Sequence, residues 1–133
     1  AVGRRMPKIL VVDDSLVMRR QVKTVLTAAH YDVVEAADGL DAFARLREHP
    51  EVALIVCDVS MPRMGGLEFL ETLRATGSAL PVVMLTTEAQ PELVARARAL
   101  GARGWLTKPM EKELLLSLAR HILAPAPAAD AQG

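Results

Sequence analysis

Five side chains stand where an apolar run of this sequence ends. Asp13 and Asp14 follow the run 9–12, Asp58 follows 53–57, Thr86 follows 82–85, and Lys108 follows 105–107. Three carboxylates brought together repel one another unless a cation holds them. Oxygen-only ligands favour a hard cation, and magnesium binds through a few carboxylates while keeping several waters. A lysine and a hydroxyl at the same rim add an ammonium and a hydrogen-bond donor. That set suits a phosphoryl group. The cation and Lys108 neutralise charge on its oxygens, and Thr86 can bond one of them. A carboxylate can itself accept a phosphoryl group covalently. Taken singly, each residue says little, since an Asp at a strand end is most often a helix cap or a solvated loop residue. The joint arrangement carries the reading.

These residues need elements to bring them together. Ile9-Leu10-Val11-Val12 reads as a first buried strand. After Ser15, a helix cap, apolar residues at Met18, Val22, Val25, Leu26 and Ala29 fall at helical spacing. His30 to Asp32 reads as a turn before a weaker strand at Val33-Val34. Asp38-Gly39 opens a second helix, closed by His49-Pro50. Residues 53–57 form a third strand, and residues 60–66 a loop. Leu67, Leu70 and Leu73 mark a third helix, broken at Gly77-Ser78. Residues 82–85 form a fourth strand. Pro91, a good first-turn residue, starts a fourth helix that stops at Gly101. Trp105-Leu106-Thr107 is a short fifth strand, and 111–123 a fifth helix.

Strict alternation of five strands and five helices implies an α/β fold, a parallel sheet covered on both faces. The first, third and fourth runs are continuously apolar, as central strands should be. The second and fifth are shorter and mixed, which suits edges. Right-handed crossovers then permit a doubly wound (βα)5 sheet in which the second strand flanks the first. In such sheets ligands bind beyond the carboxyl ends of the strands, where strand order reverses. All five chemical residues fall at that rim.

The 133 residues suit one domain. Sixteen basic residues balance sixteen acidic ones, so no bulk attraction to nucleic acid or to an anionic membrane is expected. Cys57 is the only cysteine, which rules out an internal disulfide and fits a reducing compartment. No apolar stretch approaches a membrane span, and the first seven residues lack the apolar core of a signal peptide. A soluble, cytoplasmic protein is expected. Alternation places the Cys57 side chain on the sheet face opposite Asp58, as a buried structural thiol. His30, His49 and His121 fall in or beside turns and a helix end, away from the acidic rim.

The motifs carry a resemblance. Val11-Val12-Asp13-Asp14-Ser15, the run from Asp58 to Gly66, Met84-Leu85-Thr86 and Gly104-Trp105-Leu106-Thr107-Lys108-Pro109 resemble the response-regulator receiver family, in its order and spacing, from about Pro7 to Leu123. The resemblance implies a flavodoxin-like single domain with strand order 2-1-3-4-5. It also implies a phosphoacceptor of two-component signalling rather than an enzyme, with chemistry limited to self-phosphorylation and autodephosphorylation. Asp58 would receive the phosphoryl group from a sensor histidine kinase or a phosphotransfer protein. Asp14, Asp58 and the backbone carbonyl of Ser60 would hold magnesium, with Asp13 acting mainly through water. Lys108 would pair with the phosphoryl oxygens or, before transfer, with Asp58. Thr86 and Trp105 would be the switch residues, acting on an output protein at the surface of the fourth helix, fifth strand and fifth helix. Ser60 and Glu88 would tune hydrolysis, and the bond before Pro109 would be cis. Trp105 is bulkier than the family's usual aromatic residue there, and Gly65 replaces a common Asp.

Rival readings use similar folds. A phosphatase of the haloacid dehalogenase kind wants a second Asp two residues after the nucleophile, where this chain has Ser60. A flavodoxin wants a hydroxyl- and glycine-rich loop after the first strand, where two acids stand. No glycine-rich P-loop is present. Residues 1–6 read as an N-terminal extension or remnant, 7–123 as the receiver domain, and 124–133 as an Ala/Pro-rich tail or linker. The chain could be a stand-alone regulator of the chemotaxis kind, a receiver cut from a larger regulator or hybrid kinase, or a non-phosphorylated scaffold. A monomer or a weak phosphorylation-dependent dimer is expected.

Overall fold

The central strands form because their residues are apolar on both sides. β1 (Lys8–Val12), β3 (Val52–Asp58) and β4 (Val82–Thr86) are almost wholly buried. β2 (Asp32–Ala36) and β5 (Gly104–Thr107) are more exposed and flank them. All neighbours run parallel, as the alternation of elements predicts, in the order β2-β1-β3-β4-β5 that the resemblance implies. The computed structural model describes residues 6–87 and 90–123. Within them β2 starts at Asp32, one residue before its apolar pair, because Asp32 stands in register opposite Lys8 and its N–H donates to the Pro7 carbonyl at 2.9 Å.

Five helices cover the sheet: α1 (Leu16–Ala28), α2 (Gly39–Glu48), α3 (Gly66–Ala75), α4 (Pro91–Ala99) and α5 (Lys112–Leu123). Residue parity along the strands makes two cores. Leu10, Val12, Ile55, Cys57 and Met84 pack with Phe69 and Leu70 of α3 and Ala42 of α2. Ile9, Val11, Leu54, Val56 and Leu85 pack with Val22 and Leu26 of α1 and Leu115 of α5. Burying these side chains supplies the main driving force, about 1.5–3 kcal/mol for each large aliphatic.

The helix starts are written locally. The Ser15 hydroxyl accepts the Met18 N–H at 3.2 Å, and Asp38 accepts the Asp41 N–H at 2.9 Å, satisfying donors that a helix leaves open. α3 begins differently. Gly66 lies so close under β3 that a Cβ there would overlap the Asp58 carbonyl oxygen. Only glycine lets the helix start directly beneath the strand end.

Candidate functional site

β1, β3, β4 and β5 all end at one edge of the sheet, and there the predicted residues converge. Asp58 and Thr86 are the last residues of β3 and β4, while Asp13 and Asp14 follow β1 and Lys108 follows β5. Asp13 and Asp58 are buried and Asp14 is exposed. One carboxylate oxygen from each of the three lies within 4.8 Å of the others. Such a cluster, open on the Asp14 side, fits a hard divalent cation with room for water.

Lys108 closes the buried side. Its ammonium donates to Asp13 Oδ2 at 3.1 Å and lies 3.3 Å from Asp58 Oδ1. Its backbone N–H donates to the Thr86 carbonyl at 2.6 Å, and its bond to Pro109 is cis. Burial opposes the charge on Lys108, but the hydrogen bond and charge of Asp13, then those of Asp58, outweigh it and raise its pKa. Burial, followed by the charge of Asp13, raises the Asp58 carboxyl, and Lys108 offsets this only in part.

Asp13 is committed through every polar group it has. Its Oδ1 accepts the Ser15 N–H at 2.9 Å, its carbonyl accepts Arg19 Nη1 at 2.6 Å, and its N–H donates to the Ala36 carbonyl at 3.1 Å. The direct contact between Asp13 and Lys108 was not expected from the sequence, where Lys108 was paired with Asp58. Both carboxylates share it because β1 and β3 are neighbours in the sheet.

Thr86 is buried and stands opposite Thr107, one step past the Asp58–Leu85 pair. Ser60 is exposed in the loop after β3. Trp105 stands opposite Met84 and packs on the core that includes Ala97 of α4. Its buried indole nitrogen has no hydrogen-bond partner among the described residues. A cavity of about 110 Å³ lies on its α4 side and one of about 370 Å³ on its α5 side. Glu88 lies outside the described residues.

Of the side features, Cys57 is fully buried on the face away from Asp58, and burial, then the charges of Asp58 and Asp13, push its thiol pKa well up. Burial of this kind suits a structural thiol rather than a reactive one. His49 sits 3.5 Å from Glu51, among residues of the loop leading into β3. Arg96 pairs with Glu71 at 3.1 Å, and Arg98 and Arg103 are exposed.

Three further arginines carry no sequence signal of their own, two beside the site and one at the far end of the sheet. Arg19 joins the Asp13 carbonyl to Glu35, with its Nε 2.9 Å from Oε1. Arg63 pairs in a fork with Asp38. Arg74 donates to the carbonyls of Leu80, Ser78 and Leu100 at 2.9, 3.1 and 2.7 Å. Only the surrounding fold shows what an arginine meets.

A sequence profile of the response regulator receiver domain matches residues 9–120. The chain belongs to the response regulator receiver family. The receiver domain is 36% identical over 119 residues to a chemotaxis protein CheY homolog of Campylobacter jejuni, covering 87% of this chain and 92% of that protein. It is 32% identical to chemotaxis protein CheY of Treponema pallidum, covering 87% and 82%. Among solved structures, Vibrio cholerae chemotaxis protein CheY4 is 40% identical, with a TM-score of 0.83 over 90% of this chain and all of that one. The receiver domain is thus of the CheY type, in a signalling family of response regulators.

Proposed function

We propose that this receiver domain is a phosphoacceptor that takes a phosphoryl group onto Asp58 from a histidine kinase or phosphotransfer protein. The observation that carries the reading is the Lys108 ammonium held between Asp13 and Asp58 at the edge of a three-carboxylate cluster. An Asp58 oxygen attacks phosphorus, the bond from phosphorus to the donor nitrogen breaks, and its electron pair stays on the donor imidazole. Asp13, Asp14, Asp58 and the Ser60 carbonyl would hold magnesium, which neutralises charge on the phosphoryl oxygens when bound. Lys108 supplies a second positive charge to the same oxygens.

The switch is a population shift. The Thr86 hydroxyl bonds the phosphoryl group in the active form only, and Trp105 repacks between its two flanking cavities. The surface of α4, β5 and α5 then meets an output protein. Moving a domain from mostly inactive to mostly active needs about 5 kcal/mol of differential interaction. One charge-assisted hydrogen bond gives roughly 1.5–3 kcal/mol. The partner's own binding energy supplies the remainder. Ser60, small and exposed, admits water to the phosphoryl group, and Glu88 beyond β4 orders or excludes it.

Residues 7–123 make up the working unit, and 124–133 lie outside the described residues. Among the described residues no helix is long and apolar enough to cross a membrane, and we place its action in the cytoplasm. Intact mass after incubation with acetyl phosphate tests the reading. A single added phosphoryl group is expected, dependent on magnesium and lost in Asp58→Asn. Undiminished labelling of Asp58→Asn would reject the site.

A further inference from the structure

We infer that Asp38 and Arg63 form a positioning pair that sets the loop carrying Ser60, and through it the affinity of the acidic rim for a divalent cation. The inference rests on the reading of the Ser60 carbonyl as a cation ligand. Neither residue of the pair belongs to the acidic cluster itself.

Asp38 caps α2 and is buried, its side chain only 5% exposed. While Oδ1 accepts the Asp41 N–H at 2.9 Å, both oxygens also take Arg63: Nε to Oδ2 at 2.7 Å and Nη2 to Oδ1 at 3.1 Å. A fork of this kind fixes direction as well as distance. Arg63 needs fixing. Its φ is +62°, a left-handed conformation that a residue with a side chain adopts at a cost. The Met64 N–H donates to the Pro62 carbonyl at 2.6 Å, closing a three-residue turn around it.

The same turn is pinned to α2 twice more. The Gly39 N–H donates to the Met64 carbonyl at 3.0 Å, and the Met64 side chain fills the space a Cβ at Gly39 would need. At the other side the loop is fixed to the sheet, with Val59 N–H to the Leu85 carbonyl at 3.2 Å and Gly66 N–H to the Val59 carbonyl at 2.8 Å. Ser60 lies between these anchors. Its backbone is therefore held by the sheet on one side and by the strained turn at Arg63 on the other. Releasing Arg63 from Asp38 frees the second side.

Calorimetric titration of magnesium chloride into the whole chain tests this without any turnover. The set is the parent, Arg63→Gln, Asp38→Ser and the double variant. Serine keeps a cap for α2 while losing the fork. Each single variant should bind magnesium about tenfold more weakly, the range seen when a partner behind a metal ligand is removed. The double variant should be no weaker than either, and Arg63→Lys should recover part of the loss. Saturating magnesium should restore acetyl phosphate labelling in every variant. Unchanged affinity in both single variants would overturn the pair's role and leave the acceptor reading standing. Losses that add in the double variant would overturn it as well, since the two residues would then act apart. A parent that binds no magnesium would overturn both this inference and the reading beneath it.

Discussion

The Lys108 ammonium lies 3.1 Å from Asp13 Oδ2 and 3.3 Å from Asp58 Oδ1, so one cation is shared between two buried carboxylates. One ammonium cannot balance three acids, and the rim stays electrically strained whenever all three are ionised. Burial first, and then the charge of Asp13, raise the Asp58 pKa. The folded chain thus holds the Asp58 proton more tightly than the unfolded chain does. Its contribution to stability is full below the ordinary carboxylate value of 3.8 and is lost as pH rises through the raised one. Asp58→Asn should therefore be more stable than the parent at neutral pH without added metal, by about 1 kcal/mol. Urea unfolding checks it, and added magnesium should narrow the gap by stabilising the parent alone.

Removing the other side of the contact should do the opposite. Lys108→Met leaves Asp13 and Asp58 facing each other with no ammonium between them. Breaking a buried pair by deleting one partner costs about 3–5 kcal/mol, and the same side chain is lost to the phosphoryl oxygens. We expect a lowered urea midpoint and labelling by acetyl phosphate slowed about a hundredfold. Because the raised Lys108 pKa stabilises the fold below its ordinary value of 10.5, the parent's advantage should shrink as pH rises above that value.

Gly66 is expected to tolerate no side chain. A methyl group there would meet the Asp58 carbonyl oxygen, the Met84 methyl and the Val59 Cα. Only the Met84 side chain can move away. Gly66→Ala should cost roughly 1–3 kcal/mol, as other overpacked sites do, and should also displace Asp58. A lowered urea midpoint together with slowed labelling is the expected pair of results.

Arg74 ties the end of α3 to the segment before β4 at Leu80 and to the end of α4 at Leu100. Arg74→Met keeps the aliphatic stem but leaves those carbonyls without their charged donor. Hydrogen bonds to charged groups contribute about 1.5–3 kcal/mol, and a loss near that size is expected in urea. Since Arg74 lies far along the sheet from Asp58, labelling of the folded variant should match the parent.

At the opposite end of β1, Lys8 meets Glu51 at 2.7 Å. The hydrogen bond from Lys8 holds the Glu51 carboxyl down at about 2. A lowered carboxylate contributes stability above its ordinary value of 4.5, lost as pH falls through about 2. Thermal melts of Glu51→Gln should therefore track the parent more closely as pH is lowered through that window.

The parallel sheet, its edge strands and its polar rim were legible in the sequence because they depend on features that recur along the chain. Continuous apolar runs of four or five residues marked the buried strands, mixed runs marked the edges, and a polar residue ended each buried run at a place where ligands bind. Ser15 was readable as a cap because capping is local to four residues.

What the sequence could not decide is which partners meet across distance. Lys108 and Asp13 are separated by 95 positions, and nothing in either residue says that Asp13 shares the ammonium with Asp58. That sharing follows from β1 lying beside β3, with Ser15 and Arg19 holding Asp13 in place. Arg63 reads as one more surface charge until the fold brings Asp38 beneath it and turns its backbone left-handed. Periodicity and chain chemistry chose the elements and the residue types at the rim. Charge pairing and loop shape were decided only by packing, because they depend on contacts between residues far apart in the chain.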